Sequence, residues 1–356
     1  MPTSFTGTLN PNEIFSAIYN MIISQRVFAD NIKGTYSELV DRARVDGTLY
    51  GDSKLYYATD CLKSVPWGND SEATNLLALH RPPSPEVQVI TLNQFRQVAL
   101  TVDSYLSKQS WSTEGAFNEF NSVMKGWITD TKRIYDATLY NSFIGTVESN
   151  EGKQKTTITP ISGQNDGLTM AEALANLLVE LKDVSRDYND YGFLRSYAEA
   201  DLQVVWNAKH YNAIKKIDLP VVFHNDGLLS EFDQTVLPAR YFGTVVGTAH
   251  QLFTIPAEGV QIYRTLVELD KDGVHLFPGE EIPEGMQVYQ DETYMEDSTI
   301  AFKVMHKQSV PFMSAFEVGT SFFNPKSLTE TSYLTWGYND LDYLANYPMI
   351  TVRFAE

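Results

Sequence analysis

Cysteine and long apolar runs are what this 356-residue sequence has least of. Cys61 is the one cysteine, which excludes an intramolecular disulfide framework and a metal site built from several cysteines. No run of about 18 apolar residues could span a bilayer, and no basic-led apolar stretch opens the sequence as in a secretory signal. We therefore expect a soluble chain that makes no membrane contact.

Basic residues are scarce relative to acidic ones. The sequence has 27 Lys and Arg against 45 Asp and Glu, a formal net charge of −18 at pH 7. This charge repels a polyanion wherever salt leaves it unscreened, so tight binding to nucleic acid through phosphates is disfavoured. A wall that encloses DNA without adhering to it is compatible with the same charge.

Familiar catalytic motifs are missing as well. The sequence has no nucleophile elbow, P-loop or dinucleotide fingerprint, and the stretch from Gly243 to Gly247 has only two glycines at a loose spacing. No two histidines have the i,i+4 spacing of a helical zinc site; they are His80, His210, His224, His250, His275 and His306. We expect no catalytic, cofactor-binding or metal site, no cofactor and no enzyme activity.

Acidic motifs are the remaining candidates for chemistry. The segment Glu268–Gly273 matches the first half of an EF-hand calcium loop, but the carboxylate expected at position twelve falls one residue late, at Glu280. A hairpin turn is the better interpretation. The pairs Asp187/Asp190 and Glu280/Glu281 could share acid–base work in a cleft, but solvated surface faces explain them more simply.

Aromatic residues are abundant, with 20 tyrosines and 19 phenylalanines. Tyr and Trp are favoured at buried protein–protein contacts, although core packing explains such residues equally well. The aromatic clusters that could belong either to an interface or to the core are Tyr56 with Tyr57, Trp67, Tyr188 with Tyr191, and Tyr333 with Trp336 and Tyr338.

The first hundred residues have little helical periodicity. Asn10, Pro11 and Glu13 resemble a helix cap and predict a helix over about residues 11–24. From Val27 to Leu106 the pattern changes to short strand-like stretches around residues 55–57 and 87–91, separated by proline-rich turn chemistry. We expect a short N-terminal arm followed by a long extended excursion.

A long helix is predicted from about Thr113 to Ile144. At about 1.5 Å per residue it would be roughly 45 Å long. Its opposite face, which includes Arg133 and Asp136, should be wet or touch a polar partner. The proposed apolar stripe consists of Phe117, Phe120, Met124, Trp127, Ile128, Tyr135, Thr138, Leu139 and Ser142.

The second half mixes two helices with many strands. Thr169 and Glu172 resemble a capping box before a stripe that runs from Leu174 to Val184. A strand at 202–206, a helix from 207 to about 217 and a strand at 219–223 follow. Later strands are expected at residues 260–269, 274–277, 286–290, 298–305, 309–318 and 349–354. The fold class is therefore α+β, with mostly antiparallel strands near the C-terminus.

This order of elements resembles the HK97-type fold of tailed-bacteriophage major capsid proteins. The resemblance is architectural and covers nearly the whole chain. It implies an N-terminal arm at 1–47, an extended E-loop at 48–102 and a peripheral (P) domain with a long spine helix at 103–166. It further implies an axial (A) domain at 167–293 and strands that return to the P domain at 294–356.

The resemblance also implies partners and a location. Subunits would form hexameric and pentameric capsomers of an icosahedral virion shell, assembled in the host bacterial cytoplasm, with a portal at one vertex. The shell would enclose double-stranded DNA without sequence-specific binding. Because the chain begins almost at its arm, a separate scaffolding protein is expected. Covalent Lys–Asn crosslinks occur in some relatives, but Lys54 and Lys63 in the excursion are weak candidates.

Three alternatives remain from the sequence. An encapsulin would share the fold but enclose protein cargo. An enzyme with a scattered, unrecognised site belongs to a different class of function. A phage tail or receptor-binding component would also be rich in strands and aromatics, but such proteins usually show repeats, and none is visible here.

Overall fold

The computed structural model describes residues 37–47, 51–64, 81–103, 114–150, 152–160, 166–215, 233–254, 267–268, 275–276 and 287–355. Its helices are α1 (Glu38–Ala43), α2 (Glu114–Thr146), α3 (Asp166–Lys182) and α4 (Ala208–Lys215). Among these, none is long and apolar enough to cross a bilayer. The helix predicted over residues 11–24 and the strand predicted at 219–223 lie outside the described residues.

Fourteen strands are described, and several have the predicted positions. The first seven are β1 (Arg44–Asp46), β2 (Ser53–Ala58), β3 (Glu86–Asp103), β4 (Lys155–Ile158), β5 (Leu202–Asn207), β6 (Asp233–Leu237) and β7 (Gly243–Thr254). The others are β8 (Val267–Glu268), β9 (His275–Leu276), β10 (Gln287–Glu296), β11 (Ile300–His306), β12 (Phe312–Asn324), β13 (Thr329–Asn339) and β14 (Met349–Phe354).

The chain divides into two compact units. The smaller one contains the described parts of Arg96–Ile134 and Glu317–Trp336. The larger one contains the described parts of Glu38–Phe95, Tyr135–Phe316 and Gly337–Glu356.

A five-stranded mixed sheet of order β4-β14-β11-β5-β6 forms the centre of the larger unit. Its inner strands pair antiparallel, and the outer strands β4 and β6 pair in parallel with their neighbours. All six residues of β5 are buried, as are the first six of β11. Strands buried on both faces need near-continuous apolar residues, which the sequence supplies at Leu202–Trp206 and Ile300–Met305.

Helix α3 packs on one face of this sheet. Met170, Leu174 and Leu178 are buried in a cluster with Trp206, Phe302 and other sheet residues. The helix begins at Asp166, so the predicted capping box was wrong: Thr169 is a buried position inside the first turns. Val184 was also wrongly placed in the apolar stripe, because it follows the helix end and is 56% exposed.

The other face of the sheet carries a buried amine, which is unusual in a protein core. Lys303 on β11 is fully buried, and its Nζ donates a 2.6 Å hydrogen bond to the carbonyl oxygen of Val147, just past the end of α2. Burial lowers the pKa of Lys303 to about 7, partly opposed by the nearby Asp297 carboxylate. The side chain therefore ties the end of α2 to the central sheet.

The long predicted helix is confirmed as α2, Glu114–Thr146. Its C-terminal half lies in the larger unit, where Tyr135, Ala137, Tyr140 and Ile144 are buried. Of the two alternatives predicted for the face that includes Asp136, solvent or a polar partner, the second holds for this residue: its side chain is fully buried and lies 3.5 Å from the guanidinium of Arg44. Neighbouring elements surround this half of the helix, so a single apolar stripe underestimates its burial.

A second five-stranded sheet has the order β1-β12-β13-β3-β2. Strand β1 runs parallel to β12, and β2 runs antiparallel to β3. Where this sheet belongs to the larger unit, Ile90, Leu92, Met313 and Leu344 form a small core. Gly337 leaves room for that core, because an added Cβ would lie 2.8 Å from the ring of Phe95.

Within the smaller unit, polar side chains join β3 to β13. Gln97 Nε2 donates a hydrogen bond of 2.8 Å to Thr335 Oγ1, and the hydroxyls of Thr101 and Thr331 lie 2.9 Å apart. A groove of about 300 Å³ lies between residues 128–129 of α2, residues 319–321 of β12 and residues 332–334 of β13. Strand β13 was not predicted.

Two strand pairs complete the described fold. Strands β7 and β10 pair antiparallel, with a register shift between Gln290 and Glu292. Strands β8 and β9 also pair antiparallel, joining Glu268 to His275. Glu268 thus lies in a strand rather than a helix, which supports the hairpin interpretation over an EF-hand; residues 269–274 lie outside the described part.

Candidate interaction surface

Two strands of the predicted excursion expose an apolar face to solvent. In the β2–β3 register, Leu55 is opposite Val89 and Tyr57 is opposite Val87. The exposed fractions of these side chains lie between 44% for Val87 and 65% for Tyr57. We call these four residues the apolar hairpin face. Contiguous exposed apolar side chains of this kind mark interaction sites more often than scattered ones do.

The alternation of β2 and β3 explains why this face is left uncovered. Successive side chains of a strand point to opposite faces. Of the intervening residues, Ile90 belongs to the small core of the larger unit, Tyr56 packs against that core, and Ala58 is buried. Both sides of the hairpin are therefore apolar, yet the described chain covers only one of them.

Hydrogen bonds hold the inner side of the hairpin in a fixed position. Gln88 Nε2 donates to the carbonyl oxygen of Tyr343 at 2.8 Å and to Asp342 Oδ2 at 3.2 Å. Gln88 Oε1 accepts from the backbone N–H of Ala345 at 3.1 Å. A side chain with both ends bonded fixes the register of the strand against residues 342–345.

A second anchor lies just past the end of β2. Asp60 Oδ1 accepts the backbone N–H of Leu194 at 3.0 Å, and Asp60 Oδ2 accepts a 2.7 Å hydrogen bond from Arg186. These bonds, the Leu194 N–H first, lower the pKa of Asp60 to about 2. Arg195 also donates to the carbonyl oxygen of Thr59 at 2.7 Å. These hydrogen bonds therefore fix the path of the chain where it leaves strand β2.

The carboxylates of Asp187 and Asp190 have different partners, and Asp190 is not a simple solvated surface group. Asp190 Oδ1 accepts 2.6 Å hydrogen bonds from Ser149 and from Gln154, while Oδ2 accepts from the hydroxyl of Tyr343. Asp187 instead forms an ion pair of 2.5 Å with Lys153. Asp190 joins segments that are distant in sequence, a structural role that spacing alone could not reveal.

The other candidate residues are not brought together. Among the described residues, no group of three or more His, Cys, Asp or Glu could hold a metal ion. His306 stacks on Tyr347 with ring centroids 4.2 Å apart, and its Nδ1 accepts the backbone N–H of Gln308. His210 Nε2 donates to the carbonyl oxygen of Ser298. Gly243–Gly247 is part of β7, and residues 280–281 lie outside the described part.

The aromatic clusters divide between surface and core. Tyr57 is exposed, as an interface role requires. Tyr188, Trp336 and Tyr338 are buried, so core packing is the correct interpretation for them. Trp67 lies outside the described residues.

Further exposed apolar side chains lie in the smaller unit, on β12 and in the turn that joins it to β13. They are Val318, Phe322, Phe323 and Leu328, with exposed fractions from 38% to 63%. Leu328 has a φ of 54°, a left-handed conformation that non-glycine residues rarely adopt. Sequence reasoning identified neither apolar surface, because exposure depends on which elements lie alongside.

Comparison with known proteins identifies the family of the chain. Residues 6–338 match the model of the family described as "Phi29-like phage major capsid protein". The chain belongs to this family. It is therefore a structural capsid shell protein of a bacteriophage. The family is one of phage capsid proteins and is not an enzyme family, so membership favours a capsid role over the encapsulin, enzyme and tail alternatives.

Solved structures support the fold of this capsid protein. A chain in the capsid structure of Staphylococcus phage Andhra has a TM-score of 0.62 and 10% identity, covering 88% of this chain and 83% of that one. A chain in the structure of the head fiber and inner core protein gp22 of native bacteriophage P68 has a TM-score of 0.61, with the same identity and coverage. No curated protein sequence matches the chain.

Proposed function

We propose that this capsid protein assembles into a closed icosahedral shell around double-stranded DNA and uses the apolar hairpin face as a contact between subunits. The single observation that carries the proposal is the pairing of Leu55 with Val89 and of Tyr57 with Val87 on a face that the described chain leaves uncovered. A shell subunit must bury such a face against a neighbour, because repeated modest contacts stabilise a lattice.

The size of this contact can be estimated. Complete burial of a large apolar side chain is worth about 1.5–3 kcal/mol. The four side chains are about half exposed, so covering them would contribute roughly 1 kcal/mol each, or about 4 kcal/mol per contact. Repeated over every subunit, this modest contact would make stability a property of the shell more than of the free chain.

The segments of the HK97-type fold are assigned as part of this proposal. Residues 48–102 would be the E-loop, with the apolar hairpin face on it, after an N-terminal arm at 1–47. The P domain would be 103–166, with α2 as its spine helix, and would include the return strands at 294–356. Residues 167–293 would be the A domain. The length of α2 and the position of β2–β3 within the E-loop range support this assignment.

The remaining partners follow from the same proposal. Subunits would form hexameric and pentameric capsomers in the host bacterial cytoplasm, with a separate scaffolding protein and a portal at one vertex, and would perform no catalysis. The net charge of −18 supports a wall that repels its DNA contents and makes no sequence-specific contact with them.

Negative-stain electron microscopy tests the assembly. The chain would be expressed with and without a scaffolding protein encoded beside it, and uniform closed shells are expected in at least one of the two preparations. A stable, monodisperse monomer in both would refute self-assembly. Protein cargo in place of DNA in shells from infected cells would refute the genome-enclosing role.

The double variant Leu55→Ser/Val89→Ser tests the hairpin contact. Loss of two half-exposed side chains should weaken each contact by roughly 2 kcal/mol, about thirtyfold in its association constant. The yield of shells should therefore fall while the free chain stays folded. Lys63→Ser, at an exposed polar position of the same excursion, is the matched control. An unchanged yield from the double variant would show that this face is not a contact.

A further inference from the structure

Within the part of the chain that the structure describes, strand β12 has a long edge without a paired strand. Strand β1 pairs only with Phe312, Met313 and Ser314 at its beginning. Beyond Ser314, the strand continues for ten residues to Asn324 with β13 on its other side. Among the described residues, no strand pairs with the outer side of β12 after Ser314.

This edge lacks the usual protection against pairing. A free edge is a template for another strand, and proteins block it with lysines, prolines or bulges. Residues 318–323 read Val-Gly-Thr-Ser-Phe-Phe, without a charged residue or a proline, and every one is exposed. Phe322 is 63% exposed and Phe323 50%. The features of this edge favour occupation by another strand.

The same six residues contain a near-palindrome about Thr320. If two copies of β12 ran antiparallel with Thr320 opposite Thr320, Val318 of each copy would face Phe322 of the other. Val318, Thr320 and Phe322 lie on one face of the strand, because side chains alternate. Directly opposed aromatic, β-branched and threonine pairs are favourable in antiparallel sheets.

We propose that β12 forms an antiparallel strand pair with β12 of a second copy of this chain, centred on Thr320. The proposal deepens the proposed function, on which it rests, by adding a second contact between subunits that is distinct from the apolar hairpin face. The contact is isologous, so the β12 edge of each copy is fully paired with that of the other copy. A continuous sheet therefore cannot grow from copy to copy through this edge.

Single cysteines test the register in assembled shells. Cys61 is exposed and would first be replaced, as Cys61→Ser, to remove the native thiol. Thr320→Cys would then place two thiols opposite each other, where cross-strand Cβ atoms are about 4.5–5.5 Å apart. Mild oxidation should convert most chains to a disulfide dimer on a denaturing gel. Oxidation of Ser327→Cys, in the turn after β12, should leave the chains monomeric.

Val318→Cys distinguishes this register from others. Two such thiols would be four residues apart along the pair, roughly 13 Å, and should not join. Shells assembled from a mixture of Val318→Cys and Phe322→Cys chains should give heterodimers. Dimers from Val318→Cys alone, or shells without dimers from Thr320→Cys, would overturn the inference and leave the proposed function standing. Failure of the Cys61→Ser chain to form shells would count against the proposed function instead.

Charge exchange at Thr320 gives an independent test. Thr320→Lys and Thr320→Glu would each place like charges opposite each other, which destabilises a strand pair. Each variant alone should lose shell assembly, and an equimolar mixture should recover it. Ser327→Lys adds the same charge outside the strand and should assemble normally. Mixtures that assemble no better than either variant would contradict the pairing.

Discussion

Replacement of the buried lysine should change how the stability of the free chain depends on pH. Lys303 is fully buried, its Nζ donates to the Val147 carbonyl oxygen, and burial lowers its pKa to about 7. In the unfolded chain the same group has a pKa of about 10.4. Between these values the unfolded state binds more protons than the folded one, so the free energy of unfolding rises with pH.

The size of the effect follows from the two pKa values. Between pH 7 and pH 9.5, this one group should raise the free energy of unfolding by roughly 3 kcal/mol. The destabilisation by Lys303 is complete well below pH 7, and it disappears as the pH rises past the pKa of this lysine in the unfolded chain. Above about pH 10, tyrosines whose pKa is raised by burial, such as Tyr188 and Tyr343, act in the opposite direction. In the range from pH 7 to 9.5 the lysine therefore gives the largest single change, and the difference between the native chain and Lys303→Met removes the tyrosine contribution.

Lys303→Met removes the charge and keeps most of the volume. The Val147 carbonyl oxygen loses its partner, a cost of about 1 kcal/mol, whereas the cost of burying or neutralising the amine, roughly 4 kcal/mol at pH 7, disappears. Urea unfolding of unassembled chains at pH 7, 8, 9 and 9.5 would measure both variants. We expect the variant to be more stable at pH 7 and to lack most of the slope. An equal slope in both chains would refute the assignment to Lys303.

Two further substitutions test the packing of the larger unit. Gly145→Ala should destabilise the chain by more than about 3 kcal/mol, because the added Cβ would lie 1.8 Å from the carbonyl oxygen of Tyr241; thermal unfolding measures the loss. Asn339→Leu should cost roughly 3 kcal/mol, because the buried amide accepts the Met313 N–H at 2.6 Å and donates to the Pro311 carbonyl oxygen at 3.1 Å; urea unfolding measures it.

Each of these substitutions has a matched control. Gly152→Ala adds the same methyl group where nothing lies within 4 Å, and its unfolding temperature should be nearly unchanged. Asn324→Leu, at the more exposed end of β12, makes the same replacement outside the core. Equal losses from Gly152→Ala and Gly145→Ala, or from Asn324→Leu and Asn339→Leu, would contradict the contacts described here.

Elements with strong periodicity could be predicted from sequence. The 3.6-residue period predicted α2 within two residues at each end, and a nearly continuous apolar run predicted β5. Strand β14 occupies the residues predicted for it. In each case the residues that decide the structure are neighbours in the sequence, so the pattern is local.

Strand β13 and the ends of α3 show where local pattern fails. β13 begins Thr-Glu-Thr-Ser, which has no apolar alternation, and becomes a strand because β12 and β3 lie on its two sides. The cap of α3 was assigned to Thr169, but the helix begins at Asp166, so a capping motif can occur inside a helix. Pairing partners distant in sequence decided β13.

Periodicity was enough to predict an α+β fold, because it is a property of the chain itself, and the resemblance of the element order to the HK97-type fold predicted a capsid protein. The tertiary structure decided which surfaces are left for partners. In it, Asp136 and Lys303 are buried, and Asp190 accepts hydrogen bonds from three side chains. Among the described residues, the outer edge of β12 is unpaired after Ser314. Burial and edge pairing depend on residues far apart in sequence, so no local pattern encodes them.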